Sequence, residues 1–391
     1  MTNLPQGWEV KTLSEIGEII TGSTPSKSNV EFYRKDYPFF KPSDFEQGYF
    51  LENAGDNLSK LGFGKARQLP PKTILVVCIG SLGKVALTRV IESCNQQINA
   101  IIPHKNIISE YIYYYCISSK FQSILFSKAP QTTLAIFNKT EFSKLEIIYP
   151  KDIKEQERIV GILDFAFSKI DENIKKAKEN LANIDELMQS ALQKAFNPLK
   201  DNAKENYKLP QSWEWKSLEE ISENISAGGD KPKNCTESKT AKNQIPVYAN
   251  GVNNNGLVGY TDKATIIKPS LTISARGTIG FVCIRKEPYF PIVRLISLIP
   301  CENILCLHYL YFCLNFFIAK GEGSSIPQLT IPKFKSLQIP LPPLKEQEQI
   351  AEHLDFVFEK AKALKELYTK ELKDYEELKQ SLLNKAFKGE L

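Results

Sequence analysis

Apolar residues in the segment 155–196 recur at intervals of three and four: Ile159, Leu163, Ala166, Ile170, Ile174, Ala177, Leu181, Ile184, Met188, Ala191 and Ala195. This spacing lays one narrow apolar stripe along an α-helix and leaves the other faces polar. The segment has no proline and one glycine, Gly161, so nothing in it stops a helix. At about 1.5 Å per residue such a helix reaches roughly 60 Å. A single stripe on so long a helix requires a partner helix with a stripe of its own.

The chain supplies that partner. Segment 346–387 repeats 155–196 without a gap, with 18 of 42 positions identical. Its stripe runs through Ile350, Leu354, Val357, Ala361, Tyr368, Leu372, Tyr375, Leu378 and Leu382, with one lapse at Lys365. Both copies hold Glu-Gln-Glu near the start (155–157, 346–348), then Leu-Asp-Phe (163–165, 354–356), and end in Lys-Ala-Phe (194–196, 385–387). The chain is therefore an internal duplication.

The rest of the chain echoes the repeat. LPQGWEVKTLSEIGEI at 4–19 returns as LPQSWEWKSLEEISENI at 209–225, each predicting a short strand and then a short helix capped near Ser14 or Ser217. Short β-patterned runs follow at 73–79, 84–90, 264–274 and 280–285. Glycine turns at 80–83 and 276–280, and aromatic helices at 111–116 and 308–313, share an offset of 197 residues. A polar loop, a strand and a proline turn close each unit at 131–150 and 324–343. The polar linker 197–206 begins beside Pro198, which predicts a helix end and an exposed connection. The expected order is a globular unit over 1–154, a helix over 155–196, a linker and second globular unit over 197–345, and a second helix over 346–391. The fold class is α+β.

Length and composition agree with this division. At 391 residues the chain exceeds one ordinary core, and 42% hydrophobic and 10% aromatic residues suit packed soluble domains. Residues 1–10 are polar and give no secretory signal, while the most apolar stretch, 304–319, is broken by His308 and Asn315 and reads as a core helix. No membrane association is expected. The eight cysteines form no CxxC, and the nearest cluster, Cys301, Cys306, His308 and Cys313, falls largely within a helical core pattern. Reduced thiols in a cytoplasm and no bound metal are the expectation.

Charge separates the parts. The first helix carries six Lys and Arg against eight Asp and Glu, and the second seven against ten. The globular segments are basic, with 18 against 14 in 1–154 and 18 against 12 in 197–345. Basic globular units favour nucleic acid as partner, and acidic helices favour protein.

No motif carries catalysis. Residues 78–85 begin with Cys78 where a phosphate loop needs glycine and place Val85 after Lys84, and Gly62-Phe63-Gly64 has no strand, helix and acidic residue around it. No asparagine or aspartate followed by two prolines and an aromatic, the signature of an amino-methyltransferase, is present, and His104, His308 and His353 form no general-base or metal pattern.

Binding chemistry is better represented. Lys231 and Lys233 beside Gly228-Gly229, Arg276 in its glycine turn and Lys27 after Thr24-Pro25-Ser26 place cations and backbone N–H groups on loops suited to phosphates. Asn250 and Asn253 near Tyr248, with Gln96, Gln97 and Asn99 in the first unit, supply amides that read adenine edges. Thr21, Ser23, Lys84, Ser324, Ser325 and Gln328 complete the candidate DNA contacts.

The most specific signal is the entry to each long helix: Pro340-Leu341-Pro342-Pro343-Leu344-Lys345-Glu346-Gln347, with a partial first copy at Pro150-Lys151-Asp152. A unit that opens near LPxxW, enters a long helix through PLPPLxEQ, finishes near KAF and is then repeated resembles the specificity subunit of Type I restriction–modification systems. The resemblance covers essentially the whole chain. It implies two similar target-recognition domains separated by two long helices that form an antiparallel coiled coil, in pseudo-twofold relation, each domain reading one half of a bipartite DNA target. It further implies double-stranded DNA, two methyltransferase subunits and restriction subunits as partners. S-adenosylmethionine is then expected in the methyltransferase subunits, with no cofactor and no chemistry on this chain. An orphan DNA-binding protein or an interaction scaffold without modification partners is the alternative.

Overall fold

A computed structural model describes residues 4–128, 136–200, 212–318 and 329–391. The chain divides into two compact units, one of residues 1–177 with 370–391 and the other of 178–369. The division cuts both long helices, so each unit holds the start of one and the end of the other.

The first unit contains β1 (Trp8–Thr12), β2 (Gly17–Thr21), β3 (Tyr37–Phe40), β4 (Phe50–Leu51), β5 (Asp56–Leu58), β6 (Ile74–Val77), β7 (Val85–Thr88), β8 (Ser93–Cys94), β9 (Ile98–Pro103) and β10 (Glu146–Pro150). One sheet has the order β2-β9-β6-β7-β4, a smaller one β5-β3-β8, and β1 pairs with β10 antiparallel. Strand β6 is an unbroken apolar run, buried throughout, as a central strand covered on both faces must be. Its alternating side chains serve two cores: Ile74 and Val76 meet the aromatic helix, and Leu75 and Val77 meet Phe40, Leu51 and Cys94.

The second unit repeats this plan with β11 (Glu214–Ser217), β12 (Ser222–Ala227), β13 (Ile245–Tyr248), β14 (Leu257–Thr261), β15 (Ser270–Ile273), β16 (Val282–Arg285), β17 (Phe290–Pro291), β18 (Ile296–Pro300) and β19 (Gln338–Leu341). The orders β12-β18-β15-β16 and β14-β13-β17, and the antiparallel pair β11-β19, match the first unit except at the β4 edge. In each unit the opening strand pairs with the strand that leads into a long helix.

The long helices span Ile153–Lys200 and Leu344–Ala386. The first runs through Pro198, which removes one backbone donor in the final turns but holds a helix-compatible φ, so the helix end expected there is not observed. The rest of the expected linker, 201–206, lies outside the described residues. The second helix stops at Ala386; beyond it Gly389 and Glu390 donate to the carbonyls of Ala386 and Lys385 in a turn.

Both units pair the helices antiparallel. In the first unit Arg158 reaches Leu391, and Asp171 reaches Lys379 at 2.5 Å. In the second, Asp185 pairs with Lys365, which answers the lapse in the stripe. Leu378 departs from the expected seam: it is 46% exposed, and the neighbouring Lys379 turns inward over the Phe167 ring instead.

Three smaller expectations also change. The first short helix is capped by Thr12, whose N–H and hydroxyl both donate to Glu15, whereas Ser14 lies within the helix; Ser217 is the cap in the second unit. Only Ser270–Ile273 of the run 264–274 forms a strand. The aromatic helices, Ser109–Ile117 and Leu307–Phe317, align at an offset of 198 rather than 197, since Tyr111 Oη donates to the Ile148 carbonyl at 3.0 Å and Tyr309 Oη to that of Pro340 at 2.8 Å. Matching tyrosine to tyrosine places His308 opposite Glu110, outside the aromatic core.

Candidate nucleic-acid interface

In the first unit a glycine sets the loop after β2. A Cβ on Gly22 would lie 2.2 Å from the Asn95 carbonyl oxygen, so only glycine permits the approach that lets Gly22 and Ser23 donate to Ile98 and Cys94. This clamp joins the loop after β2 to the loop between β8 and β9. Thr24 Oγ1 then donates to Gln96 Oε1 at 2.5 Å, and Thr21 Oγ1 to Asn99 Oδ1 at 2.6 Å. Arg67, which sequence reasoning missed, closes the group by donating from Nη1 to the Thr21 carbonyl at 2.6 Å. No sequence pattern marks Arg67; only the fold brings it there.

Burial sorts these residues. Asn99 is 2% exposed, and Gln97 is engaged with Asn95 and the Ile79 carbonyl, so both are scaffold. Ser23 is half-buried, while Lys27, Arg67 and Gln96 are exposed. Lys84 is not with them: it pairs with Glu46 at 2.5 Å and lines a separate cleft with Tyr49 and Asp164. Burial pushes the Cys78 thiol up to about 12, against a smaller opposing effect of Asn99, so the thiol stays protonated at neutral pH.

The second unit builds the same clamp at Gly228. A Cβ there would meet the Ile292 nitrogen at 2.6 Å, and Gly228 donates to Leu295 while its carbonyl accepts from Arg294. Val293 and Arg294 adopt left-handed φ of 53° and 59° and are exposed, presenting a second cation that sequence reasoning missed. A signal existed: the offset of 197 shared by the glycine turns carries Gln96 and Gln97 onto Val293 and Arg294.

Asn250 has both ends of its amide engaged within the chain. Its Oδ1 accepts from Ala275 N at 2.8 Å and its Nδ2 donates to the Val293 carbonyl at 2.6 Å. Tyr248 is covered by Arg285, whose Cζ stands 3.5 Å from the ring centroid, and Arg285 also donates to the Asn255 carbonyl at 2.5 Å. That contact braces the turn in which Asn254 and Asn255 hold φ near 50°. Asn253, Arg276, Lys231 and Lys233 are exposed on loops. Ser324, Ser325 and Gln328 lie outside the described residues.

Among the described residues no group of three or more His, Cys, Asp and Glu is placed to hold a metal, and no helix is long and apolar enough to cross a membrane. Each unit thus offers exposed cations on loops joined by one glycine clamp and further exposed polar groups on other loops, chemistry suited to phosphates and base edges.

Comparisons with known proteins identify the family. A family model for the Type I restriction modification DNA specificity domain matches residues 5–183 and 210–373. The Type I restriction enzyme HindI specificity subunit of Haemophilus influenzae is 39% identical over 176 residues, covering 44% of this chain and 38% of that protein. The MjaIX specificity subunit of Methanocaldococcus jannaschii is 24% identical over 392 residues, covering 91% and 88%. This chain therefore spans well under half the length of the first relative and most of the second. Among solved structures, a chain from a study of complex assembly and conformational transition in a type I R-M system matches with a TM-score of 0.82 at 19% identity over 100% of both chains. The HsdS subunit from Thermoanaerobacter tengcongensis matches with 0.59 at 20% identity, over 100% of this chain and 98% of that one. With two copies of the matching domain covering most of its length, the chain belongs to the Type I restriction modification DNA specificity family.

Proposed function

We propose that the chain is the sequence-specific DNA-binding specificity subunit of a Type I restriction–modification complex. Each unit reads one half of a bipartite target. The long helices fix the distance between the half-sites and dock two methyltransferase subunits, with restriction subunits completing the assembly. The chain itself is non-catalytic. Methylation chemistry and S-adenosylmethionine belong to the methyltransferase partners.

One observation supports this reading above the others: the glycine clamp occurs in both units, at Gly22 and Gly228, and the loops it joins bear exposed polar and basic side chains, Lys27 and Gln96 in the first unit and Lys231, Lys233 and Arg294 in the second. Phosphate contacts supply affinity and register, and amides supply sequence. In the first unit Lys27, Arg67 and Gln96, with the half-buried Ser23, are the proposed contacts; in the second they are Lys231, Lys233, Asn253, Arg276 and Arg294. Thr21, Gln97, Asn99, Tyr248 and Asn250 act beneath them as support.

Methylome sequencing of a host with and without this chain tests the proposal. The expected result is a bipartite adenine-methylation motif that disappears when the chain is removed and returns when it is restored. A methylome that does not depend on the chain would leave an orphan DNA-binding or scaffold role in its place.

A further inference from the structure

The second unit departs from the first at one buried spot. Matching the paired strands sets Phe40, Leu75 and Thr88 of the first unit against Tyr248, Thr272 and Arg285 of the second. In the first unit the spot belongs to an apolar core, where Phe40 and Leu75 pack with Leu51 of β4 and Thr88 is fully buried. In the second, Arg285 is 8% exposed and its Cζ stands 3.5 Å from the Tyr248 ring centroid. Its Nε donates to Thr272 Oγ1 at 3.0 Å and its Nη2 to the Asn255 carbonyl at 2.5 Å, and it makes no ion pair among the described residues. Three matched positions thus differ together, an apolar cluster in one unit and a cradle for a buried cation in the other. A buried charge without a counter-ion stabilises a fold less than the apolar packing in its place would. Stability does not account for Arg285.

What Arg285 holds is the turn Asn253–Gly256. Within it Asn254 and Asn255 keep φ of 47° and 51°, a left-handed backbone that asparagine tolerates and that persists only where its surroundings enforce it. Ala249 N donates to the Gly256 carbonyl at 2.8 Å and closes the loop. Asn250 ties the same loop to Ala275 and Val293, whose neighbours Arg276 and Arg294 are exposed, so the turn stands among the proposed phosphate contacts. Asn253, Asn254 and Asn255 are themselves exposed, and their side-chain amides have no hydrogen bond among the described residues. An asparagine amide pairs bidentately with N6 and N7 of adenine, provided the backbone beneath it is fixed. After β3 the first unit has instead the 3-10 helix Pro42–Gln47, which contains no asparagine, so the device belongs to one unit.

We propose that the asparagine turn reads an adenine in the half-site of the second unit, and that Arg285 is the positioning residue that holds the turn in its reading conformation. A planar guanidinium stacks flat on the Tyr248 ring while its N–H groups fork to Thr272 and the Asn255 carbonyl, which a neutral side chain of the same length does not do. The inference rests on the proposed DNA-reading role and adds which residues set one letter in one half of the target.

The test is the methylome of a host expressing the full chain, wild type or variant, read letter by letter in the half-site that survives replacement of residues 1–154. Asn254→Gly with Asn255→Gly keeps a left-handed backbone available, and adding Asn253→Ala removes the third amide. This triple variant should lose roughly fivefold or more of the preference for one A·T pair and leave the other half-site unchanged. Arg285→Met should relax the same position, and adding it to the triple variant should relax no further letter, an outcome that general destabilisation does not produce. Unchanged letters in the triple variant would overturn the reading role of the turn. Unchanged letters in Arg285→Met, or methylation lost evenly from every site, would overturn the positioning role. A wild-type methylome that does not depend on the chain is a different result and removes the DNA-reading role itself, so the two failures are distinguishable.

Discussion

Gln156 and Gln347, the central residues of the two Glu-Gln-Glu blocks, are fully buried. Gln347 Oε1 accepts from Cys306 N at 2.9 Å, and its Nε2 donates to the carbonyls of Ile304 and Pro342 at 2.9 and 2.8 Å. Gln156 does the same with Ile108, Asn106 and Pro150. One amide thus ties the start of each long helix to the loop before the aromatic helix. Gln347→Ala leaves those backbone groups buried without partners, and urea denaturation should show a loss of about 2–3 kcal/mol. The repeat of the motif was legible in sequence, but its meaning was not. Sequence pointed to the glutamates and the helix dipole, because a glutamine whose partners are all backbone groups leaves no pairwise trace.

Glu92 is a different residue-scale case, fully buried with neither carboxyl oxygen hydrogen-bonded. Burial raises its pKa well above the usual carboxylate value, with Thr88 opposing weakly. The folded state therefore keeps a proton that the unfolded chain releases near its ordinary pKa of about 4–5. The resulting stability is complete below that value and is lost as pH rises toward the raised one. Glu92→Gln should flatten this dependence and make the protein more stable than wild type at pH 8. Equal slopes of unfolding free energy against pH in the two proteins would contradict the assignment.

At the scale of elements, the Lys-Ala-Phe ends of the helices seal the cores. Phe387 packs edge-on against Tyr111 in the first unit, and Phe196 against Tyr309 in the second, with centroids 5.4 and 5.7 Å apart. Each core is therefore closed by a residue from the far end of the other repeat. Phe387→Ala should cost about 3–5 kcal/mol and speed hydrogen exchange in the helix Ser109–Ile117, while Phe196→Ala should do so in Leu307–Phe317. Exchange that rises equally in both helices for either variant would contradict this pairing. The stripes made the helices and their need for partners legible. They did not resolve Leu378 from Lys379, because a long aliphatic stem covers an aromatic ring as well as a leucine does. The loops were legible as polar and glycine-rich, yet which amides face outward depends on contacts such as Asn250 with Ala275 and Val293 that span 25 and 43 residues.

For the whole molecule, the proposal converts helix length into DNA spacing. The ion pairs Asp171–Lys379 and Asp185–Lys365 bracket facing segments of the two helices. Matched insertions of one heptad within 171–185 and 365–379 should lengthen the unspecified spacer of the methylated motif and leave its half-site letters unchanged. Motif analysis of the host methylome distinguishes the two: altered letters would sink the spacer role. The central claim, that each unit reads its own half-site, is tested most directly by replacing residues 1–154 with the corresponding domain of a relative of different specificity and sequencing the methylome. One half of the bipartite motif should change and the other should remain; a change in both halves would contradict independent reading.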